Sequence, residues 1–174
     1  ERDVPVIIAA GRLVPKKGFD VLLEALALVR KSRRVRLVIL GRGDERTNLE
    51  RRVDALGLSN DVKLPGFVDN PFAWFARADL FALSSFAEGM PNALLQAMAC
   101  GCPVISTNCP SGPREILEDG RHGLLVPPGD AQALAAAIEA SLDAPVARRA
   151  DVRARARHFA ADGAVDAYLR ILAR

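Results

Sequence analysis

Residues 84–107 read SSFAEGMPNALLQAMACGCPVIST. A carboxylate, Glu88, stands just ahead of Gly89, Met90 and Pro91, and a run of helix-forming residues then leads into the short apolar segment PVIST. Pro91 suits the first position of a helix, where its missing amide hydrogen is not needed, and Gly89 lets backbone approach a ligand closely. The amides that follow are expected to point outward at the positive end of the helix dipole, which makes the helix mouth an anion site. Glu88 would repel that anion, so its expected partners are hydroxyl groups, as sugars supply. Gln96 lies further along the same stretch; if the whole of it were helical, the two polar groups would be roughly 12 Å apart along the axis. That is about the span of a sugar, a diphosphate and a ribose laid end to end.

Working outward, short β-rich apolar runs alternate with helical periods. VPVIIAAG (4–11), VRLVILG (35–41), VKLPGFV (62–68), DLFALSS (79–85), PVIST (103–107) and GLLVP (123–127) read as strands,. Between them, GFDVLLEALALVRK puts Phe19, Leu22, Leu23, Leu26 and Val29 on one helical face, DERTNLERRVDALGL ends at the helix-stopping Gly57, and PFAWFARA forms a brief helix,. After the last strand, Leu134, Ala137, Ile138, Ser141 and Leu142 share one side of a further helix. Six strands separated by helices predict an α/β, Rossmann-like, doubly wound parallel sheet with helices on both faces. The 174 residues form one domain, with a C-terminal helical extension over about 145–174 that packs outside the sheet and shows a stripe of Val165, Tyr168, Leu169 and Leu172.

In such a sheet, ligands bind where strands run into loops at their carboxyl ends, and the unusual residues concentrate there. GRLVPKKG (11–18) holds Arg12 and Lys17 on either side of Pro15, with glycines at both ends. Two cations beside a helix start can grip a phosphate. GRGDER (41–46) begins like a dinucleotide fingerprint but has Arg46 at the sixth position and follows the second strand. With no G-x-G-x-x-G in the first loop either, a nicotinamide-dependent dehydrogenase is disfavoured. A cationic pair, an anion-binding helix mouth and polar groups at either end together describe a nucleotide-sugar site.

Composition excludes other classes. Half of the residues are apolar and 26% are charged, as in a globular domain,. No apolar run is long enough to span a membrane and no signal-like segment opens the chain, so a soluble domain is expected. Because residue 1 is Glu, the sequence reads as part of a longer protein. Cys100, Cys102 and Cys109 form no C-x-x-C pair and lie outside metal-ligand spacing from His122 and His158, so no metal site is expected and the thiols read as small buried groups,. The net charge of +3 comes largely from ARRADVRARARH (147–158). Its arginines spread around a helix and no aromatic residue interleaves to stack on bases, so a solvated helix is expected rather than a nucleic-acid contact; anionic lipid head groups are the other partner such a surface attracts. Ser111 in PSGPREIL reads as a helix cap, and Glu115 as a first-turn acid. Phe72, Trp74 and Phe75 read as packing their short helix onto the core, and His122 as a turn residue.

Four segments, GRLVPKKGFDVLLEAL, LVILGRGDERTNLERRVDALGLSNDVKLPGFV, EGMPNALLQAMACGCPVIST and GLLVPPGDAQALA, occur in an order that resembles the C-terminal, donor-binding half of a retaining family 4 glycosyltransferase with the two-domain GT-B fold. The resemblance covers residues from about 6 to 142. It implies a single nucleotide-sugar-binding domain whose N-terminal acceptor domain lies elsewhere in the parent protein. By the same resemblance Glu88, Arg12 and Lys17 are the catalytic residues: Glu88 lies near the donor sugar, while Arg12 and Lys17 hold the diphosphate. Gly11, Gly41, Gly89, Met90, Pro91, Asn92, Ala93, Leu94 and Leu95 complete the donor site, and the backbone at Phe67 and Val68 edges the base. The family has a second Glu where this chain has Gln96; the amide still bonds a ribose diol but carries no charge. No D-x-D pair is present to hold a cation. The resemblance therefore implies metal-independent transfer from a nucleoside diphosphate sugar, of UDP type, to a glycan or glycolipid, with Arg12, Lys17 and the amides of Asn92–Leu95 neutralising the leaving group. It requires no cofactor, and it implies polysaccharide assembly in the cytoplasm, peripheral at the inner face of the membrane, with weak self-association through the C-terminal stripe. A fragment lacking the acceptor domain is expected to transfer nothing. The runner-up is a non-catalytic nucleotide or nucleotide-sugar binding module, to which Gln96 alone points.

Overall fold

All six apolar runs pair into one parallel sheet: β1 (Val6–Ala10), β2 (Arg36–Leu40), β3 (Val62–Gly66), β4 (Leu80–Leu83), β5 (Val104–Thr107) and β6 (Leu124–Val126). The computed structural model describes residues 4–160, so the stripe of Val165, Tyr168, Leu169 and Leu172 lies outside the described residues. Strand order is β3-β2-β1-β4-β5-β6, as the doubly wound reading predicts. Pro65 can sit inside β3 because β3 is an edge strand, where its missing N–H leaves no ladder bond unmade,.

Period-two alternation sends the residues of each strand to opposite layers. Ile7, Ala9, Leu37, Ile39, Leu80, Ala82 and Ile105 meet α1 (Phe19–Val29), α2 (Arg46–Ala55) and α6 (Ala131–Asp143) on one face. Ile8, Leu40, Phe81, Leu83 and Val104 meet α3 (Phe72–Arg77), α4 (Asn92–Ala99), α5 (Pro113–Ile116) and α7 (Arg149–Arg157) on the other. The expected faces hold: Phe19, Leu22, Leu23, Leu26 and Val29 are buried in α1, and Leu134, Ala137, Ile138 and Ser141 in α6. Helix α2 is capped at its C-terminus by Leu56, with Gly57 in the left-handed region. The Leu58 amide reaches back to the Val53 carbonyl, which satisfies one of the carbonyls a helix end leaves open,.

Two readings need correction. Of the three aromatics in α3 only Phe75 packs inward, edge-on to Phe81 at 5.6 Å between ring centroids; Phe72 and Trp74 remain exposed. A helix of this length has one inward row, and Phe75 fills it. The arginines of α7 are not simply solvated, because several are tied to the rest of the domain. Arg149 donates to the carbonyls of Ala78 and Gly101, and Arg153 to that of Cys100, so both meet the carbonyl-rich C-terminus of α4,. Arg155 donates to the carbonyls of Glu115 and Ile116, pairs with Glu118 at 2.9 Å and lies over Phe159. Thus α7 docks by hydrogen-bonding open carbonyls on α4 and α5, with Val152 and Ala156 buried beneath it.

Glu118 holds this corner together, since His122 and Arg121 reach its second oxygen. Burial would raise its pKa, but Arg155, His122 and Arg121 together outweigh that effect and hold it below the ordinary carboxylate value,. A depressed folded-state pKa contributes stability above the unfolded value near pH 4.3, lost as pH falls through the folded value. Denaturant melts at pH 7 and pH 3 should therefore show Glu118→Gln less stable than wild type at pH 7, with that difference reduced at pH 3. An undiminished gap at pH 3 would mean that the carboxylate charge is not what secures α7.

Candidate functional site

The strand order reverses between β1 and β4, the crevice where an open parallel sheet binds ligands,. Two loops leave the sheet there. After β1, a turn of 3-10 helix at Pro15–Lys17 swings Lys17 back over the strand ends. After β4, the chain passes Ser85 and Glu88 before α4. The two loops are tied together: the Phe86 amide donates to the Lys16 carbonyl at 2.8 Å, and Ser84 Oγ to the Lys17 carbonyl at 2.9 Å. Gly18 permits this approach. Its φ is +60°, and a Cβ there would lie 2.2 Å from the Ser84 carbonyl oxygen.

The result is an ion pair. Lys17 Nζ donates to Glu88 Oε1 at 2.5 Å, and Ser85 Oγ donates to the same oxygen at 2.6 Å. The Glu88 side chain is only 7% exposed and that of Lys17 17%. Glu88 Oε2 has no hydrogen-bond partner among the described residues, so its capacity to accept from a hydroxyl is intact. Ser85 was not foreseen; the signal available was a hydroxyl at the end of a strand three residues before the acid. Thr107 Oγ1 donates to the Ser85 carbonyl and fixes that residue against β5.

Cys109 lies beside this cluster. Burial pushes its thiol above the ordinary value, the Glu88 charge adds to the effect, and a hydrogen bond with Thr107 opposes it. A thiol held protonated is a poor nucleophile, so Cys109 offers the cluster no reactive thiolate.

A cavity of about 460 Å³ opens beside the pair, lined by Ala10, Gly11, Arg12, Leu40, Gly41, Arg42, Phe67, Val68, Pro71, Phe75, Ala93 and Gln96. It gathers Gly11, Arg12, Gly41, Phe67, Val68, Ala93 and Gln96 of the sequence-derived set. Buried Leu40 and Phe75 contribute to its lining together with the polar Arg12, Arg42 and Gln96, a mostly apolar surface with a few polar groups, as is usual for a small-molecule site. Arg12 is exposed and Gln96 half-buried. Arg42, in the GRGDER loop, stacks over the Phe67 ring at 5.6 Å and was also not foreseen; its position after β2, beside the switch in strand order, was the available signal. A larger groove of about 860 Å³ runs between α1 and the start of α6, away from Lys17 and Glu88.

The helix mouth differs from expectation. Helix α4 starts at Asn92, with Pro91 as the residue before it at φ −76° and ψ 81°, rather than as its first residue. Glu88 to Gln96 is therefore not a continuous helix, and the helical-rise span does not apply. The Asn92 amide is taken by the Met90 carbonyl, and those of Leu94 and Leu95 by the Pro91 carbonyl. Of the expected donors Asn92–Leu95, only the Ala93 N–H has no acceptor among the described residues; those of Gly89 and Met90 have none either. Gly89 and Met90 are exposed at this mouth, while Leu94 is core. The β5–α5 loop closes the other side. Ser111 does not cap α5: Gly112 occupies that position, without a side-chain bond, and Ser111 is itself left-handed at φ 63°. A Cβ on Gly112, at φ +79°, would meet the Gly89 carbonyl oxygen at 2.5 Å, so the two loops are in direct contact.

Comparison with known proteins identifies the family of the chain. Residues 4–144 match the model of the family described as glycosyl transferases group 1. The chain belongs to that family. It is 38% identical over 176 residues to the lipopolysaccharide core biosynthesis glycosyltransferase LpsE of Rhizobium meliloti (strain 1021), covering 98% of this chain and 50% of the relative. It is also 38% identical over 120 residues to the N-acetylgalactosamine-N,N'-diacetylbacillosaminyl-diphospho-undecaprenol 4-alpha-N-acetylgalactosaminyltransferase of Campylobacter jejuni subsp. jejuni serotype O:2, covering 69% of this chain and 32% of that protein. The chain thus spans half or less of the length of these curated relatives. Among solved structures, Anabaena Alr3699/HepE in complex with UDP and glucose superimposes with a TM-score of 0.82 at 29% identity, over 88% of this chain and 44% of that one. Sucrose-phosphate synthase from Thermosynechococcus elongatus gives 0.86 at 28% identity, over 99% and 45%. The fold is that of the C-terminal domain of a GT-B glycosyltransferase. Among the described residues no helix is long and apolar enough to cross a membrane.

Gly18→Ala should lower stability by about 1–3 kcal/mol through left-handed strain alone, and more through the clash with Ser84. Its crystal structure should show Lys17 withdrawn from Glu88. An unchanged Lys17–Glu88 distance would show that the pair does not depend on this close approach.

Proposed function

We propose that the chain is the donor-binding domain of a retaining, metal-independent, family 4 glycosyltransferase that moves a sugar from a nucleoside diphosphate sugar of UDP type to a glycan or glycolipid acceptor. The observation that carries this reading is the Lys17–Glu88 pair standing beside the cavity that Arg12 and Gln96 line. In this reading the base lies against the backbone of Phe67 and Val68, and Gln96 bonds the ribose diol. Arg12, Lys17 and the open amides of Gly89, Met90 and Ala93 hold the diphosphate, and Glu88 Oε2 accepts from a sugar hydroxyl. Charge developing on the leaving diphosphate is met by fixed cations and N–H dipoles instead of a divalent ion, an arrangement that is worth most where water is excluded. The UDP complex of the HepE relative supports the choice of base. LpsE, a lipopolysaccharide core enzyme, supports an envelope acceptor, with the parent protein working in the cytoplasm at the inner membrane face. The acceptor domain belongs to the rest of the parent protein, and this domain alone transfers nothing.

Calorimetric titration with UDP-glucose, GDP-mannose and ADP-glucose, with and without magnesium, tests the reading. One sugar nucleotide should bind indifferently to metal, and Arg12→Ala and Lys17→Ala should each weaken it by about 10- to 100-fold, the worth of a charged hydrogen bond. No binding in wild type, or binding that both variants retain, sinks it.

Gln96, in place of an acid, favours a second reading, a binding module that has lost transfer. Gln96→Glu separates the two: a change in donor affinity of less than about threefold fits a working variant, whereas a gain of about tenfold or more fits a decayed site.

A further inference from the structure

Lys17 gives its charge to Glu88 at 2.5 Å, and the loops that carry the two residues are bonded to each other through Ser84 and Phe86. The pair is therefore built into the fold and is not a chance meeting of long side chains. A diphosphate entering beside α4 needs Lys17, and it meets Glu88 as a like charge in a site with little water. Drawing Lys17 toward the phosphate leaves Glu88, 7% exposed, with Ser85 as its only remaining donor among the described residues. A poorly solvated carboxylate stripped of its cation is costly unless other donors arrive. Hydroxyls of the transferred sugar are such donors; a bare nucleoside diphosphate has only its ribose hydroxyls, which in this reading lie at Gln96 and not at Glu88.

We propose that the Lys17–Glu88 pair makes this site discriminate a nucleoside diphosphate that still carries its sugar from the bare nucleoside diphosphate, because only the former replaces at Glu88 the hydrogen bonds that Lys17 withdraws. The inference rests on the donor-site reading above. Glu88 acts as a specificity-determining residue in addition to its contact with the sugar: it lends Lys17 to a complete donor and reclaims it once the sugar has left. The same carboxylate that rewards the substrate thus hastens loss of the nucleotide product, without any movement of the domain.

The experiment compares, by calorimetry on the protein, UDP with UDP-glucose, GDP with GDP-mannose and ADP with ADP-glucose, in wild type, Glu88→Gln and Lys17→Met, with each variant's fold checked by thermal melting. For the nucleotide that binds, Glu88→Gln should tighten the bare diphosphate and weaken its sugar ester, shifting the ratio of the two dissociation constants at least tenfold, within the usual range of a coupling between sites. Lys17→Met should cost the sugar ester more than the bare diphosphate, since in the bare complex Glu88 retains part of the lysine's charge; this arm stands even if Glu88→Gln does not fold. Tighter binding of the bare diphosphate with a shifted ratio supports the inference. An unchanged ratio in Glu88→Gln, or equal costs in Lys17→Met, overturns it and leaves the donor-site reading intact. Failure of wild type to bind any of the six nucleotides overturns both.

Discussion

The site depends on one close approach, the β1–α1 loop lying against the end of β4 with no side chain between them. Gly18 makes it possible, two hydrogen bonds hold it, and its consequence is that a lysine and a glutamate far apart in sequence share a proton-rich contact at the crevice. Without that approach Lys17 would be a surface cation on a flexible stem and Glu88 an acid at the rim of a loop. Held together, each sets the charge the other can offer a ligand.

The same economy appears around the rest of the cavity. The β5–α5 loop touches the Gly89–Pro91 turn through Gly112, so Glu88 is buttressed from a second side, and its own amide reaches toward the Pro110 carbonyl. Ser111 is held left-handed at this contact, a strain that persists only where surrounding packing over-determines the backbone,. The apolar part of the lining comes from strand ends and Phe75, which is fully buried and positioned by its edge-on contact with Phe81. The rigid layers thus set where the cavity is, and the loops set its chemistry.

Much of this was legible in the sequence, because the sheet imposes two periods that survive in any single chain. Alternation in the strands and the stripes of α1 and α6 gave the layers, and the loops after β1, β3 and β4 gave most of the residues around the cavity. What escaped was set by tertiary context. Pro91 fits a first helical position by propensity, yet the turn through Met90 takes the Asn92 amide and moves the helix start by one residue. Trp74 is apolar enough for the core, but a six-residue helix has room to bury only Phe75. The arginines of α7 show no pattern along their own helix because their partners are carbonyls at the ends of α4 and α5. Ser85 and Arg42 were missed for the same reason: their roles arise from what the fold sets opposite them.

The topology explains why the cation and the acid are the two groups that meet. In the order β3-β2-β1-β4-β5-β6, β1 and β4 are neighbours whose connections leave toward opposite faces of the sheet, since α1 packs with the β1–β2 half and α4 lies on the other layer. Where these two connections part toward opposite faces they leave a crevice at the strand ends. A residue just past β1 and a residue just past β4 line its two walls. Opposite charges at those positions tie the two walls together at the base of the crevice, and the ligand we propose for it carries both an anion for the lysine and hydroxyls for the glutamate. The pairing of lysine with glutamate is in this sense a property of the strand order, which brings the two side chains face to face.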